Sequence, residues 1–153
     1  MSRKNSSMLL GAGASYLLLA LLPILALLPM ATFVAADPTS VWQGVYTKQQ
    51  AERGRATYFS ACASCHGVML QGDSDIPELV GNSFVKRWSG VSIGAFVTFT
   101  SSQMPIGRPG SLGAQGYVEV VAYILQTNGF PEGQQELPIR GTALDMIIMD
   151  TRK

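Results

Sequence analysis

The chain is short of cysteine, histidine and charge. Two cysteines in 153 residues cannot build a disulfide-rich scaffold. They lie three positions apart, as Cys62 and Cys65, and His66 is the sole histidine. That leaves three such ligands where a structural zinc site needs four. Charged residues make up 14% of the chain and the formal net charge is +1. A nucleic-acid binder would carry a clustered basic excess, and this chain has none. The length fits a single domain, and there is no internal repeat.

Charge is missing altogether from residues 8–36, which follow the positive start Arg3-Lys4. The run from Leu17 through Leu22 to Leu28 reads as an export signal, with small residues at Val34-Ala35-Ala36 before Asp37. The run is also long enough to span a bilayer, and Pro23 and Pro29 are tolerated in membrane helices. Residues 1–36 are thus a signal peptide or an uncleaved anchor that associates with the membrane through residues 8–36. Either outcome puts Asp37 onward outside the cytoplasm, in the periplasm or on the outer face of the cytoplasmic membrane. Gly11-Ala12-Gly13 lies in this leader without a preceding strand, so it is no dinucleotide fingerprint. A small exported domain without disulfides needs another stabiliser, and a large buried cofactor would serve.

Beyond the leader the pattern is helical. Thr47 followed by Gln50 fits a capping box, which predicts a helix to about Ala61 with Ala51, Gly54, Arg55 and Tyr58 on one face. Gly54 is either a mildly destabilising helix glycine or a point of close helix crossing. A short helix is expected over 82–88, with Asn82 as its cap. Another is expected over 92–100, where Val97 to Thr100 keep a strand as the alternative. Tyr117, Val120, Val121 and Ile124 predict a strong helix from about Ala114 to Gln126, ended by Asn128-Gly129. Residues 134–153 read as a tail, apolar over 144–149 but without an assigned place. The expected division is 1–36 leader, 37–133 domain, 134–153 tail.

Cys62-Ala63-Ser64-Cys65-His66 carries the chemistry. The Cys-x-x-Cys-His pattern marks covalent haem attachment. Each thiol adds to one haem vinyl group, and the adjacent histidine is delivered to the iron from the same side. A redox dithiol would need a βαβ setting that is absent. A plain disulfide leaves the histidine unexplained. One covalent haem c is therefore expected, held by Cys62 and Cys65 and ligated by His66.

The second axial ligand must lie elsewhere. The methionines outside the leader are Met69, Met104, Met146 and Met149. Met69 is too near His66 to reach the opposite haem face. Met104 sits in a loop flanked by helices, with Pro105 fixing the backbone beside it. It is the expected ligand, against ordinary core packing, Met146, Met149 or an open iron position.

With these residues in hand, the stretch from Thr47 to Phe130 resembles the class I cytochrome c family. The resemblance implies an all-α cytochrome c fold with helices around one haem. It implies that Gly54 and Tyr58 pack across the last helix against Val120 and Tyr123. It implies that the Pro77 carbonyl accepts a hydrogen bond from the His66 ring, which would improve that ring as a ligand. Trp88 and Arg108 could contact haem propionates, or be packing and surface residues. More narrowly, the stretch from Met104 to Leu125 is similar to the small cytochromes accompanying bacterial quinoprotein dehydrogenases.

The implied role is an exported one-electron carrier between a periplasmic dehydrogenase and a downstream acceptor or terminal oxidase, not an enzyme. The alternatives are a tightly bound subunit of a dehydrogenase or respiratory complex, and a five-coordinate haem enzyme or gas sensor. With Arg3 and Lys4 set aside, ten acidic residues face nine basic ones, so overall charge does not name the partner. Asp73, Asp75 and Glu78 could bias docking or simply be a solvated loop.

Overall fold

The computed structural model describes residues 39–151. The leader expected over residues 1–36, as signal peptide or anchor, lies outside the described residues. Among the described residues no helix is long and apolar enough to cross a membrane. The fold is all-α apart from one short two-stranded pairing.

Helix α1 spans Lys48–Ala61 and α2 is the single turn Ala63–His66. Helices α3 and α4 span Asn82–Trp88 and Ile93–Gln103. Helix α5 spans Gly113–Thr127, and α6 is the short turn Thr142–Asp145.

The pair α1 and α5 forms the frame. A Cβ on Gly54 would overlap the backbone carbonyl of Glu119. Glycine costs a helix about 1 kcal/mol relative to alanine, and here its lack of a side chain is what permits the crossing. One turn on, the rings of Tyr58 and Tyr123 lie 5.4 Å apart. Val120 packs in the same core, at the level of Gly54. Arg53 ties the crossing from outside. Its Nε donates to Glu119 at 2.6 Å and its terminal nitrogen donates to both oxygens of Glu136 at 2.8 Å. These two carboxylates, Glu119 first, push the guanidinium pKa up.

Helix ends follow local chemistry, with three departures from the sequence pattern. Thr47 caps α1, its Oγ1 accepting from the Gln50 N–H at 3.2 Å. Gln50, however, turns its amide to the backbone of Leu137, donating at 2.9 Å and accepting at 2.8 Å. The cap of α3 is Gly81, not Asn82. Gly81 sits at φ +92°, a conformation suited to glycine, and its N–H donates to Asn128 Oδ1 at 2.9 Å. Asn82 thereby becomes the first helical residue. Helix α4 forms in place of the alternative strand, with the Ser92 hydroxyl accepting from the Ala95 N–H at 3.1 Å. It runs past Thr100 to Gln103 and stops where Pro105 disfavours helical backbone at Met104.

Residues after 133, expected as a tail, return to the core. Leu137, Leu144, Ile147 and Met149 are buried there. Strand β2 (Ile147–Ile148) pairs in parallel with β1 (Thr39–Ser40). Gly90 and Met149 add backbone bonds of 2.7 and 2.9 Å between this segment and the α3–α4 turn. Trp42 Nε1 donates to the Asp150 carbonyl at 3.1 Å. The two ends of the described chain are thus fastened to each other.

Candidate functional site

Cys62 ends α1, and its N–H donates to the Tyr58 carbonyl at 2.8 Å. The next turn, α2, brings Cys65 and His66 round. Residues three and four apart share a helix face, so Cys62, Cys65 and His66 present to one side. All three line a cavity of about 370 Å³. Burial, and then the charge of Cys65, pushes the Cys62 thiol up to about 11. Cys65 is exposed.

His66 is buried, and its Nδ1 lies 3.0 Å from the Pro77 carbonyl. A carbonyl oxygen has no proton, so Nδ1 must be the donor. Neutral imidazole then keeps its lone pair on Nε2, the form a metal requires. The loop that presents Pro77 is itself built around His66. Gly72 N–H donates to the His66 carbonyl at 2.9 Å, and Tyr58 Oη donates to the Gly67 carbonyl at 2.7 Å. Leu70 adopts φ +61°, rare for a branched apolar residue. It is wholly buried and its carbonyl accepts from the Leu79 N–H at 2.8 Å.

Asp73 closes the turn before Pro77. One carboxylate oxygen accepts from the backbone N–H groups of Asp75 and Ile76, each at 2.8 Å. Those two bonds hold its carboxyl below the usual carboxylate range. Of the acidic group noted in the sequence, Asp73 therefore has a local structural task, whereas Asp75 and Glu78 line the cavity.

Met104 reaches the same cavity from the end of α4. Its loop is held by bonds of 2.9 Å from Arg108 N–H to the Pro105 carbonyl and from Gly110 N–H to the Ser101 carbonyl. Of the other methionines, Met149 is wholly buried in the core, and Met69 and Met146 are 71% and 38% exposed. None of the three lines the cavity. Much of the wall is apolar: Phe84, Trp88, Phe96, Phe99, Val120 and Ile124. Trp88 also packs against Phe96, with ring centroids 4.3 Å apart. Arg108 lines the cavity as well.

Four residues that matter here were not singled out for it in the sequence. Arg87 lines the cavity beside Trp88, with no pattern to mark it. Tyr58 reads as a packing residue, yet its hydroxyl holds Gly67. Asn128 reads as a helix stop. Its side chain also donates to the Leu79 carbonyl at 2.9 Å, fixing the segment after Pro77. Tyr117 reads as part of an apolar stripe, but its hydroxyl donates to the Met104 carbonyl at 2.7 Å.

The cavity therefore collects two thiols, an imidazole whose Nδ1 faces a carbonyl, and a thioether within largely apolar walls. That donor set fits a covalently attached haem, with a soft sulfur and a nitrogen for the iron. Residues 49–124 match the family model described as cytochrome c oxidase, cbb3-type, subunit III. No curated protein and no solved structure matched the chain. The matched span contains the Cys-x-x-Cys-His run, Pro77, Met104 and most of both framing helices, and the chain belongs to the class I cytochrome c family, with covalently bound haem c as its cofactor.

Proposed function

We propose that the chain is an exported monohaem carrier passing single electrons from a periplasmic dehydrogenase of the quinoprotein kind to a downstream acceptor or terminal oxidase. The supporting observation is that Cys62, Cys65, His66 and Met104, drawn from two distant segments, line one largely apolar cavity. The haem supplies the one-electron ferrous–ferric couple.

The protein's own groups do the rest. Cys62 and Cys65 hold the cofactor by thioether bonds, so it cannot be lost outside the cytoplasm. His66 gives Nε2 to the iron and Met104 gives its sulfur. The Pro77 carbonyl orients the imidazole and strengthens it as a donor. Phe84, Phe96, Val120 and Ile124 keep water away, which disfavours the more highly charged state. Arg87 and Arg108 offer cationic partners to the propionate carboxylates, and Trp88 walls the same cavity. With His66 and Met104 both as ligands, no iron position would be left for oxygen or substrate. Electrons therefore pass by outer-sphere transfer across small, transient contacts.

The description of the matched family favours one further reading, a cytochrome subunit held tightly in a respiratory oxidase complex. Detergent extraction of native membranes, followed by sizing and detection of covalent haem, separates the two. A carrier elutes near its own mass and is reduced rapidly by added quinoprotein dehydrogenase and its substrate. A subunit co-elutes with a large partner, which would overturn the shuttle reading.

A further inference from the structure

The Met104 carbonyl is held by a side chain from α5, one of the two framing helices. Tyr117 lies on α5, thirteen residues on, and its hydroxyl donates to that carbonyl at 2.7 Å. The ring is only 2% exposed. Tyr117 is not among the described residues that line the cavity, so it can act on the iron site only through the loop. Its helix is well anchored: α5 is buried from Tyr117 to Leu125 and is seated on α1 at Gly54. The loop's own ties, such as Arg108 to Pro105 and Gly110 to Ser101, are backbone bonds within or next to the same segment. They shape the loop, and Tyr117 fastens it to the core.

We infer that Tyr117 is a positioning residue for the axial ligand, its hydroxyl holding the Met104 loop against α5 so that the methionine stays on the iron. The inference rests on Met104 being the second ligand. Opening the loop must break this bond or carry Tyr117 with it. The half-buried Met104 carbonyl, on losing its partner, shifts such an equilibrium by roughly three- to tenfold.

Added imidazole reports that equilibrium. It reaches the ferric iron only when Met104 has left, so its apparent affinity scales with the open fraction. Tyr117→Phe keeps the buried ring and removes only the hydroxyl. It should bind imidazole roughly three- to tenfold more tightly than the unsubstituted holoprotein. The control is Tyr46→Phe. Tyr46 also donates a buried hydroxyl to a carbonyl, that of Phe130 at 2.6 Å, and it does not line the cavity. It should lose similar stability yet leave imidazole affinity unchanged.

Equal tightening in both variants would mean a general loss of stability and overturn the inference. No tightening in Tyr117→Phe would overturn it too. In both cases Met104 stands as ligand provided the methionine-to-iron band is present and is lost in Met104→Ala. If that band is missing from the unsubstituted protein, Met104 falls as ligand and the inference falls with it. If Tyr117→Phe assembles poorly, Tyr117→Trp, which fills the site with a ring but removes the hydroxyl, should give the same tightening in the fraction that carries haem.

Discussion

The Pro77 carbonyl stands 3.0 Å from Nδ1 of His66 and thereby decides which ring nitrogen is left for a metal. The relationship depends on the turn over 73–76, because Pro77 has no N–H of its own to anchor it. Asp73 supplies that anchor through two backbone N–H bonds.

Asp73 accordingly predicts a feature of acid stability. Its carboxyl is held below the usual range in the fold, so the charged form is favoured in the folded state. Stability from this source is full above the unfolded value of about 4 and is lost as pH falls through the folded value. Asp73→Asn should lower stability at neutral pH and flatten the decline on the acid side. Urea midpoints from pH 7 down to pH 3 check this, and parallel curves would contradict it.

The helix crossing makes a second prediction. Gly54→Ala places a Cβ on the Glu119 carbonyl, where backbone rather than a flexible side chain must move. Overpacking of this kind costs about 1–3 kcal/mol or more. The urea midpoint should fall accordingly. An unchanged midpoint, or a gain from the better helix propensity of alanine, would mean that the helices do not meet as closely as described.

The returning C-terminal segment makes a third. Gln50 is 2% exposed and exchanges two hydrogen bonds with the Leu137 backbone. Gln50→Leu removes the amide and leaves a buried N–H and a buried C=O without it, at a cost of about 2 kcal/mol. Amide exchange should quicken at Leu137, and proteolysis should begin within residues 131–146. Protection at Leu137 equal to that of the unsubstituted protein would contradict this.

What could be read from the sequence was what lies close together in the chain. Cys62 to His66 state their chemistry within five positions. Helix α5 announces itself because a buried helix must repeat its apolar residues every three to four positions. Gly54 could be marked as a crossing point, because the family pairing with the last helix supplied a partner. Gln50 could not be read correctly. Its capping pattern is local, whereas its actual partner is 87 residues away and is backbone, which carries no sequence signature. The segment over 144–149 had apolarity but no partner in view, since the pairing of Ile147 with Thr39 joins opposite ends of the described chain. Tyr117 was hidden for another reason: periodicity reports that a ring is buried and is blind to where its hydroxyl goes.

Whether this protein carries electrons or handles a ligand turns on the iron's sixth position, and carbon monoxide tests that position directly. If Met104 occupies the site, the ferrous holoprotein mixed with carbon monoxide should show no binding on the timescale of mixing. Met104→Ala should bind at once and should lack the methionine-to-iron band when oxidised. Rapid binding by the unsubstituted protein would contradict the six-coordinate carrier and point instead to a five-coordinate enzyme or gas sensor.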